Sequence, residues 1–560
     1  MKPNTQSVLR CTSRLSRHAA SRSSKRTLIN SASRLSLRHR APSQTQSRGL
    51  TIADLDKSKG DRERVVILGS GWAGYPLART LDPKKFQAVI VSPRSYFVFT
   101  PLLASTSVGT LEFRTALEPI RSRRSKARYI QGWADDVDFF NKTVTVEEAV
   151  ADPNQGLALT GPRYEGKTEE EVVNVLQSKK IKGQVFNLSY DKLAIAVGCY
   201  SQTFNIPGVR EHAHFLKDVG DARAIRKRLL ECFEAAALPT TPDTVRRQLL
   251  TFAIVGGGPT GIEFSAELHD LCTEEMSRIY PELAEFVSIT VYDVAPKVLG
   301  MFDDKLAKYA ADTFKREGIA IKTSHHVENI TRGLPGVEYS PASTRPGLTL
   351  KVKEEGEMGV GMVVWSTGLQ MNPFVERALS TVRRFPRKEV IFKAQDQEVT
   401  DAEAKTWTIA RDGRSGGLLT NDRLRVMLES NSSSGNGETR KRAFMKDVFA
   451  IGDCGVVEGT AYPATAQVAN QKALYLGKRL NRNDMQQQRF TWKNLGIMAY
   501  LGNWRALVQG GSGFGNISGR TAWIIWRGAY LMMALSWKNR ILIPVYWVIN
   551  WIFGRDISRF

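Results

Sequence analysis

Two glycine-rich turns about 190 residues apart constrain this chain more than any other feature. The first lies in VVILGSGWAGYPLARTL, residues 65–81, and the second lies in FAIVGGGPTGIEFSAEL, residues 252–268. Each has the spacing Gly-x-Gly-x-x-Gly, follows an apolar β-branched run and begins a segment with helical periodicity. In this context the glycines permit a tight turn, and the N-terminus of the helix binds a diphosphate. The sequence therefore predicts two dinucleotide sites.

The residue that ends the second strand of each unit indicates which dinucleotide is bound. After the second turn, the run SITVYDVAP places Asp293 at the strand end. A carboxylate there accepts hydrogen bonds from ribose hydroxyls and repels a 2′-phosphate, which favours NADH over NADPH. Asp293 lies further from Gly261 than the usual spacing of about 20 residues, so we expect an extended helix between them. After the first turn the strand ends at Ser92, near Arg94, which alone would also suit NADP.

A third motif assigns the first turn to FAD. The stretch VFAIGDC, residues 448–454, is an apolar strand followed by Gly-Asp, a pattern typical of strands that return to the flavin half of FAD. Asp453 would bind the ribityl chain or the nearby phosphate. Two further apolar runs end in glycine, LAIAVG at Gly198 and VVWSTG at Gly368. This ordered set predicts an α/β fold with two Rossmann-like domains, for FAD first and NADH second.

Several stretches resemble the type II NADH:quinone oxidoreductases, the mitochondrial alternative NADH dehydrogenases of fungi and plants. They are SPRSYFVFTPLLASTSVGTLEFR (92–114), GGGPTGIE (256–263), AIGDC (450–454) and ATAQVANQ (464–471). The closing FGRDISRF, residues 553–560, resembles the fungal members in particular. The resemblance runs from about Val65 to the C-terminus. It implies a respiratory enzyme that passes electrons from NADH through FAD to ubiquinone without pumping protons.

The resemblance also implies roles for three residues. Gln467 and Gln471, which share one helical face, would line the quinone pocket, and Glu263 would reach the nicotinamide and flavin region. Alternatively, the glutamines cap or fill a helix start, and Glu263 is a solvated helix residue. The full set of predicted FAD contacts is Gly69, Gly71, Trp72, Gly74, Ser92, Arg94, Thr100, Gly198 and Asp453. The predicted NADH contacts are Gly256, Gly258, Thr260, Gly261, Glu263, Asp293 and Gly368.

Cysteine usage separates this chain from other flavoproteins with the same layout. Disulfide reductases need two cysteines on the flavin face, and the segment Tyr96–Thr110 holds none. The same absence argues against the interpretation of this chain as a sulfide:quinone oxidoreductase, which also works through cysteines. The five cysteines form no CxxC pair and do not cluster with histidine, so neither a disulfide framework nor a metal site is expected. An NAD(P)H oxidoreductase of the apoptosis-inducing-factor type and a flavin-binding signalling protein stay open as alternatives.

The N-terminal segment has the composition of a mitochondrial transit peptide. Residues 1–53 hold eleven Lys and Arg, many Ser and no Asp or Glu. The alternative is a basic arm that binds nucleic acid. Without these eleven charges the formal net charge falls from +23 to +12, so the basic balance gives little support to a nucleic-acid partner. No apolar block follows the first basic residues, which argues against a secretory signal.

The C-terminal segment Thr521–Phe560 is predicted to attach the protein to the inner mitochondrial membrane. Its apolar runs, Ala522–Trp537 and Ile541–Phe553, fall short of the about 20 residues that span a bilayer, and the second is broken near Pro544. Tryptophans and basic flanks favour helices that lie in the membrane interface. A buried hairpin or dimer seam is the alternative, which leaves a homodimer open. Resemblance to the fungal members favours the intermembrane-space face.

These observations predict six segments. They are a transit peptide at 1–53, the first part of the FAD domain at 62–245, the NADH domain at 246–392, a polar surface insert at 393–442, the second part of the FAD domain with the quinone-site helix at 443–515, and membrane-anchoring helices at 516–560. The polar insert carries no predicted role.

Overall fold

The computed structural model describes residues 51–122, 125–150, 183–337, 347–379, 385–387, 391–393, 407–430, 442–511 and 515–558. Contacts divide the chain into a unit at Met1–Leu55 and a unit at Asp56–Phe560. In the first unit the described residues are 51–55, which begin a helix. The predicted transit peptide therefore lies almost wholly outside the described residues. The sheets and the candidate sites belong to the second unit.

The strands alternate with helices along the chain, as the two predicted dinucleotide units require. In chain order the strands are β1 (Glu63–Leu68), β2 (Phe86–Ser92), β3 (Tyr96–Val98), β4 (Leu117–Pro119), β5 (Arg128–Asp138), β6 (Thr143–Glu148), β7 (Val185–Ser189), β8 (Lys192–Ile195), β9 (Cys199–Ser201), β10 (His214–Phe215), β11 (Thr251–Val255), β12 (Ser288–Asp293), β13 (Ala320–Thr323), β14 (Val327–Arg332), β15 (Leu348–Val352), β16 (Gly356–Val360), β17 (Met362–Trp365), β18 (Leu369–Met371), β19 (Ile391–Lys393), β20 (Trp407–Ile409), β21 (Leu418–Thr420), β22 (Arg425–Ser430), β23 (Arg442–Ala450), β24 (Gly455–Val457), β25 (Ile497–Gly502), β26 (Arg505–Gln509) and β27 (Asn516–Gly519).

The helices include long amphipathic ones and several short turns. The α-helices are α1 (Ile52–Lys59), α2 (Gly74–Thr80), α3 (Leu103–Ser107), α4 (Val209–His212), α5 (Val219–Ala237), α6 (Asp243–Leu249), α7 (Pro259–Leu271), α8 (Ser277–Ile279), α9 (Asp304–Arg316), α10 (Ala466–Arg482), α11 (Arg520–Met533) and α12 (Trp537–Phe553). Short 3-10 turns occur at Thr100–Leu102, Phe113–Ala116, Pro281–Phe286 and Gly452–Cys454, and π-helical turns occur at Cys272–Met276 and Phe374–Ala378.

The largest sheet carries the first glycine turn. Its central strands β23, β8, β1, β2 and β5 are parallel neighbours in that order. Every residue of β2 is buried, as expected for a parallel strand that is covered on both faces. Gly69, Ser92, Gly198 and Asp453 all fall at or just beyond the carboxyl ends of these strands. This is the edge at which open parallel sheets bind their ligands.

A second parallel sheet, in the order β10-β17-β11-β12-β13, carries the second glycine turn. Gly256 follows β11, Asp293 ends β12, and Gly368 lies just beyond β17, so these residues also share one edge. Between β11 and β12 the chain runs through α7, a π-helical turn, α8 and a 3-10 turn that ends at Phe286. The predicted extension of the helical segment before Asp293 is therefore confirmed.

The predicted polar surface insert at 393–442 needs correction over its described part. Strands β20, β21 and β22 join the largest sheet, where β22 pairs with β23. Trp407 is 1% exposed, and Met427 and Leu428 are fully buried. Charged residues between these apolar positions lower the average hydropathy of the segment. The sequence therefore reads as polar although the sheet buries these strands. Residues 394–406 and 431–441 lie outside the described residues.

The C-terminal region begins with an antiparallel sheet of β25, β26 and β27, followed by α11 and α12. Ala522 and Trp526 of α11 are buried in a hydrophobic core that also contains residues of α7 and β25. The predicted break near Pro544 is wrong, because α12 continues through this proline. A proline removes one backbone hydrogen bond of a helix, and the packing of α12 tolerates that loss. Within the described ranges, we find no helix with the length and apolarity that crossing a membrane requires.

Candidate active site

The first glycine turn is built for close approach between strand and helix. A Cβ atom at Gly74 would lie 2.0 Å from the carbonyl oxygen of Gly69, so only glycine fits there. A Cβ atom at Gly71 would meet no atom within 4 Å, because this residue faces the pocket beyond β1. The turn leads into α2, whose first backbone N–H groups lack partners within the helix. These features fit the diphosphate of a dinucleotide.

One pocket collects most of the predicted FAD residues. Its lining includes Gly69, Gly71, Trp72, Ser92, Arg94, Thr100, Gly198 and Asp453. Gly74, the remaining member of the predicted set, is absent from this lining because it packs α2 against the turn. Hydrogen bonds fix the walls of the pocket, with Trp72 Nε1 donating to Thr100 Oγ1 at 3.0 Å and the hydroxyls of Ser70 and Ser92 bonded at 2.9 Å.

Charged groups that the sequence reasoning missed surround this pocket. Arg94 Nη1 pairs with Asp218 Oδ2 at 2.6 Å, and Asp218 begins α5 through a capping box. Burial raises the pKa of Asp453, while the nearby cations of Lys217 and Lys472 oppose this shift. Lys472 Nζ donates to the carbonyl of Gly455 at 2.7 Å, beside the Gly-Asp turn. The acid-x-x-acid spacing at residues 218–221 could have identified the cap from sequence.

The second glycine turn repeats the close approach of the first. A Cβ atom at Gly261 would lie 1.9 Å from the carbonyl oxygen of Gly256. Gly258 is half-buried and Thr260 is exposed, both at the start of α7. Gly368 has φ +76°, and Gln202 and Phe204 pack closely against it. The structure therefore brings the predicted NADH residues of the turn, the strand end and the crossover to one edge of the second sheet.

Asp293 has a structural task beyond the predicted ribose contact. Its Oδ2 atom accepts a hydrogen bond from the backbone N–H of Gly257, and its Oδ1 atom accepts one from Ala295 N–H at 2.7 Å. The carboxylate therefore holds the glycine turn in place from the neighbouring strand. A substitution that removes the acceptor oxygen would disturb the turn as well as the predicted ribose contact, which stays a prediction.

Glu263 does not line the FAD pocket among the described residues, and its predicted reach to the nicotinamide and flavin region stays a prediction. It is 7% exposed, and its Oε1 atom accepts hydrogen bonds from Tyr500 N–H and Trp526 Nε1–H, both at 3.2 Å. Burial raises the pKa of Glu263 to about 8 despite these two donors. The alternative of a solvated helix residue is wrong, since Tyr500 of β25 and Trp526 of α11 cover this carboxyl.

A row of aromatic rings connects Glu263 with the wall of the FAD pocket. The ring centroids of Trp72 and Phe99 are 5.3 Å apart, and those of Phe99 and Tyr530 are 6.2 Å apart. Tyr530 lies 4.9 Å from Trp526, which donates to Glu263. The buried acid is therefore close to the flavin side of the molecule without lining its pocket. The sequence carried no signal for this row, because Trp72, Phe99 and the α11 pair of Trp526 and Tyr530 come from three separate segments.

The two predicted quinone residues lie at the start of α10, where Ala466 and Ala469 line the FAD pocket. Gln467 Oε1 accepts from Trp492 Nε1–H at 3.0 Å and from Leu495 N–H at 3.1 Å. Gln471 donates to the carbonyl of Lys493 at 2.8 Å and accepts from its N–H at 3.0 Å. Both amides therefore hold the segment 492–496 against the helix. The predicted common face is confirmed, and neither glutamine lines the pocket among the described residues.

Comparison with known proteins gives the family. The family model described as "Pyridine nucleotide-disulphide oxidoreductase" matches residues 63–385, and "NDH2 C-terminal domain" matches residues 494–556. The chain is 32% identical to External NADH-ubiquinone oxidoreductase 2, mitochondrial, of Saccharomyces cerevisiae, over 89% of this chain and 82% of that protein. It is 31% identical to External alternative NAD(P)H-ubiquinone oxidoreductase B1, mitochondrial, of Solanum tuberosum, over 97% of this chain and 98% of that protein.

A solved structure shares the fold. The structure of NDH2 from Plasmodium falciparum in complex with NADH has a TM-score of 0.67 and 23% sequence identity, and the match covers 89% of this chain and 100% of that chain. The relatives match over nearly their whole length, which confirms the resemblance that the motifs indicated. The chain therefore belongs to the pyridine nucleotide-disulphide oxidoreductases and, among them, to the type II NADH:ubiquinone oxidoreductases.

Proposed function

We propose that this chain oxidises NADH and reduces ubiquinone through bound FAD, without pumping protons. The observation that carries this function is the pair of glycine turns at the carboxyl edges of two parallel sheets. The segment Tyr96–Thr110 beside the first turn holds no cysteine pair to receive electrons, so the electron acceptor is a separate molecule. The relatives named as NADH-ubiquinone oxidoreductases support ubiquinone as that acceptor.

FAD, when bound, supplies the two-electron chemistry that links NADH oxidation to quinone reduction. The two glycine turns would hold the two dinucleotides, and transfer between them requires that they be positioned together. The backbone N–H groups after Gly71 bind the FAD diphosphate, and Asp453 binds the flavin half between the cations of Lys217 and Lys472. The backbone N–H groups after Gly258 bind NADH, with Asp293 at the adenosine ribose.

Glu263 holds a proton close to the flavin at neutral pH. Its raised pKa of about 8 follows from burial and keeps the carboxyl neutral below that pH. Quinone reduction consumes two protons, and a buried neutral acid is a local store for one of them. The aromatic row of Trp72, Phe99, Tyr530 and Trp526 supports this role, because it packs Glu263 next to the flavin side.

Gln467 and Gln471 position the quinone side of the FAD pocket. Their amides bind the segment 492–496 and leave Ala466 and Ala469 facing the pocket. A small apolar helix face beside the flavin suits a hydrophobic ring, and the fixed segment closes one side of it. We assign to these glutamines a positioning role in quinone reduction.

The two C-terminal helices attach the protein to the surface of the inner mitochondrial membrane. The mitochondrial names of the relatives support the organelle. The exposed large apolar residues of α11 and α12 support the attachment; they are Ile524, Met532, Met533, Ile541, Val545, Val548, Ile549, Trp551, Ile552 and Phe553, together with Trp537. An exposed apolar surface of this extent marks an interaction site. We place it on the intermembrane-space face, since the similar yeast protein carries the name external.

A spectroscopic experiment tests the redox function. The purified protein should show bound flavin that NADH bleaches within milliseconds and a short-chain ubiquinone analogue reoxidises rapidly. Slow bleaching, or reoxidation by oxygen alone, would contradict the function and favour an oxidase or a flavin-binding signalling protein.

Attachment is best tested by substitution rather than deletion. Removing Thr521–Phe560 would also take Trp526 out of the core and Asn539 away from Glu118, so the loss of fold would confuse the result. Ile541→Ser combined with Ile552→Ser changes only exposed positions and should release protein from membranes with its FAD retained. The membrane face follows from protease protection in intact mitochondria, with NADH oxidation measured alongside.

A further inference from the structure

A second cavity, of about 350 Å³, lies between α7, the β25–β26 hairpin and the two C-terminal helices; we call it the tail cavity. Among the described residues it shares no lining residue with the FAD pocket. Its walls are rich in tryptophan, namely Trp504, Trp523, Trp526, Trp547 and Trp551. The proposed redox function gives this cavity no task.

Arg527 of α11 lines the tail cavity together with Glu267 and Glu274, whose charges act on its guanidinium. Its guanidinium carbon lies 4.2 Å from the ring centroid of Trp523 and 4.3 Å from that of Trp547. These contacts place the guanidinium over both rings, where a cation is attracted to the aromatic faces. Its Nε atom is buried and has no hydrogen-bond partner among the described residues.

Arg555, beyond the end of α12, brings a second unmet donor to the same cavity. Its side chain is 8% exposed, and its Nη2 atom pairs with Glu274 at 2.9 Å. Its Nη1 atom is buried without a hydrogen-bond partner among the described residues. A buried donor without a partner is unfavourable, so two of them in one cavity favour a bound acceptor. Phosphate and carboxylate groups match the geometry of guanidinium donors.

Acidic residues exclude a bare phosphate from the tail cavity. Asp270, Glu267 and Glu275 line it, and the oxygens of Asp270 already accept from Tyr500 Oη–H at 2.6 Å and Asn503 N–H at 3.0 Å. An anion alone would meet these carboxylates as well as the arginines. A ligand that carries a cation beside its phosphate satisfies both sets, and tryptophan faces favour an ammonium group.

The rim of the cavity faces the exposed apolar surface of the C-terminal helices. Trp551 lines the cavity and is 74% exposed, and its neighbours Val548 and Ile552 on α12 are also exposed. A molecule with a polar head in the cavity would therefore lay its apolar part along α12. Zwitterionic phospholipids have this build, and they are present wherever such a surface meets a bilayer.

We propose that the tail cavity binds the zwitterionic headgroup of a phospholipid. The phosphate accepts hydrogen bonds from Arg527 and Arg555, the ammonium lies toward Asp270 and the tryptophan faces, and the acyl chains follow the exposed side of α12. The headgroup thereby fixes the depth and orientation of the protein on the membrane. This site rests on the proposed membrane attachment of the C-terminal helices and is independent of the redox chemistry.

A soluble short-chain lipid tests the site on the full-length, FAD-loaded protein. Dihexanoyl-phosphatidylcholine, kept below its critical micelle concentration, should change the tryptophan fluorescence in a saturable way. Arg527→Gln should weaken binding at least tenfold, which corresponds to about 1.4 kcal/mol for the lost charge-assisted hydrogen bonds. Arg520→Gln, at an exposed position of the same helix, is the matched control and should bind as the wild type does.

Several outcomes would overturn the site. Equal binding by Arg527→Gln excludes the arginine, and equal binding of inorganic phosphate or dihexanoyl-phosphatidylglycerol excludes recognition of the ammonium. If Arg527→Gln loses FAD, Arg527→Lys serves as the second variant. Lysine keeps the positive charge but lacks the planar guanidinium group, so this variant should bind the short-chain lipid more weakly than the wild type. Unchanged binding by Arg527→Lys contradicts the proposal. Co-sedimentation with phosphatidylcholine vesicles distinguishes the headgroup site from the membrane attachment. If the protein sediments with vesicles but does not bind the short-chain lipid, the headgroup site is wrong and the membrane attachment stands. If it neither sediments nor binds the short-chain lipid, both proposals are wrong.

Discussion

The two glycine turns share a sequence pattern, and they differ in what surrounds them. Side chains from distant parts of the chain, including Thr100, Asp218 and Asp453, line the pocket at the first turn. The second turn leaves Thr260 exposed and is held from its own sheet by Asp293. A walled pocket suits a cofactor that stays bound, whereas an open turn suits a substrate that leaves after each turnover. The motif specifies a dinucleotide, and its surroundings decide between cofactor and substrate.

The largest expected effect is at the first turn. Gly74→Ala adds a Cβ atom that would lie 2.0 Å from the carbonyl oxygen of Gly69, so the helix must move away from the turn. We expect purified protein with at least a tenfold lower ratio of flavin to protein, measured by absorbance. A normal flavin content would show that this turn does not bind the cofactor.

The equivalent change at the second turn should separate the two units. Gly261→Ala creates a similar conflict, at 1.9 Å from Gly256 O. We expect the flavin to remain bound and its rapid bleaching by NADH to be lost, while reoxidation of flavin reduced by dithionite stays fast. Loss of flavin in this variant would contradict the division into a cofactor unit and a substrate unit.

The helices that follow the two turns also differ, and the second carries a buried acid. The helix α2 has 7 residues, whereas α7 has 13 and places Glu263 in the core. The ordinary pKa of this carboxyl is 4.5, and burial raises it to about 8 in the folded protein. Between these pH values the unfolded chain has released the proton and the folded chain keeps it. This group's contribution to stability is therefore full below pH 4.5 and is lost as the pH rises to about 8.

Glu263→Gln should remove that pH dependence, since a neutral amide still accepts from Tyr500 N–H and Trp526 Nε1–H. We expect the variant to gain stability relative to the wild type as the pH rises from 5 to 8, by roughly 3–5 kcal/mol at most, because one pKa unit corresponds to about 1.4 kcal/mol. Thermal unfolding across this range measures it. If stability depends on pH in the same way in the wild type and in Glu263→Gln, then Glu263 does not keep its proton in the folded state.

The next effect concerns the choice between NADH and NADPH at the second turn. Asp293→Asn keeps an acceptor for Gly257 N–H and removes the charge that faces a 2′-phosphate. We expect the ratio of kcat/KM for NADPH to that for NADH to rise by the equivalent of about 1–3 kcal/mol. An unchanged ratio would mean that the ribose of NADH lies elsewhere.

The sequence predicted the parts of the fold that depend on local pattern. Gly69, Asp293 and Asp453 all follow apolar runs, and parallel strands bring such ends to one edge whatever the rest of the chain does. The strands at 407–430 were missed because isolated charges interrupt their apolar positions. Their burial depends on strand pairing and not on local sequence, since Trp407 lies in β20, which pairs with β22, and β22 pairs with β23.

The sites were predicted where a motif fixes the backbone and missed where partners come from afar. The covering of the Glu263 carboxyl by Trp526 was missed, because Trp526 lies 263 positions further along the chain. In the same way Arg94 finds Asp218 across 124 positions, and no spacing rule connects them. Long-range packing of this kind depends on the whole fold, so it becomes visible only in three dimensions.

The smallest expected effect distinguishes the quinone side of the FAD unit from its nucleotide side. Gln467→Ala removes the acceptor for Trp492 Nε1–H and Leu495 N–H, which loosens the segment 492–496 although Gln471 still binds Lys493. Asp453 and the glycine turn keep their contacts. We expect bleaching of the flavin by NADH to be unchanged and reoxidation by ubiquinone to slow by about threefold to tenfold, equivalent to about 1 kcal/mol. Stopped-flow measurement of the two half-reactions resolves this, with exposed Gln487→Ala as the matched control. An equal loss in both half-reactions would mean that Gln467 supports the flavin site as a whole. An unchanged reoxidation rate would mean that the segment it holds does not contact the quinone.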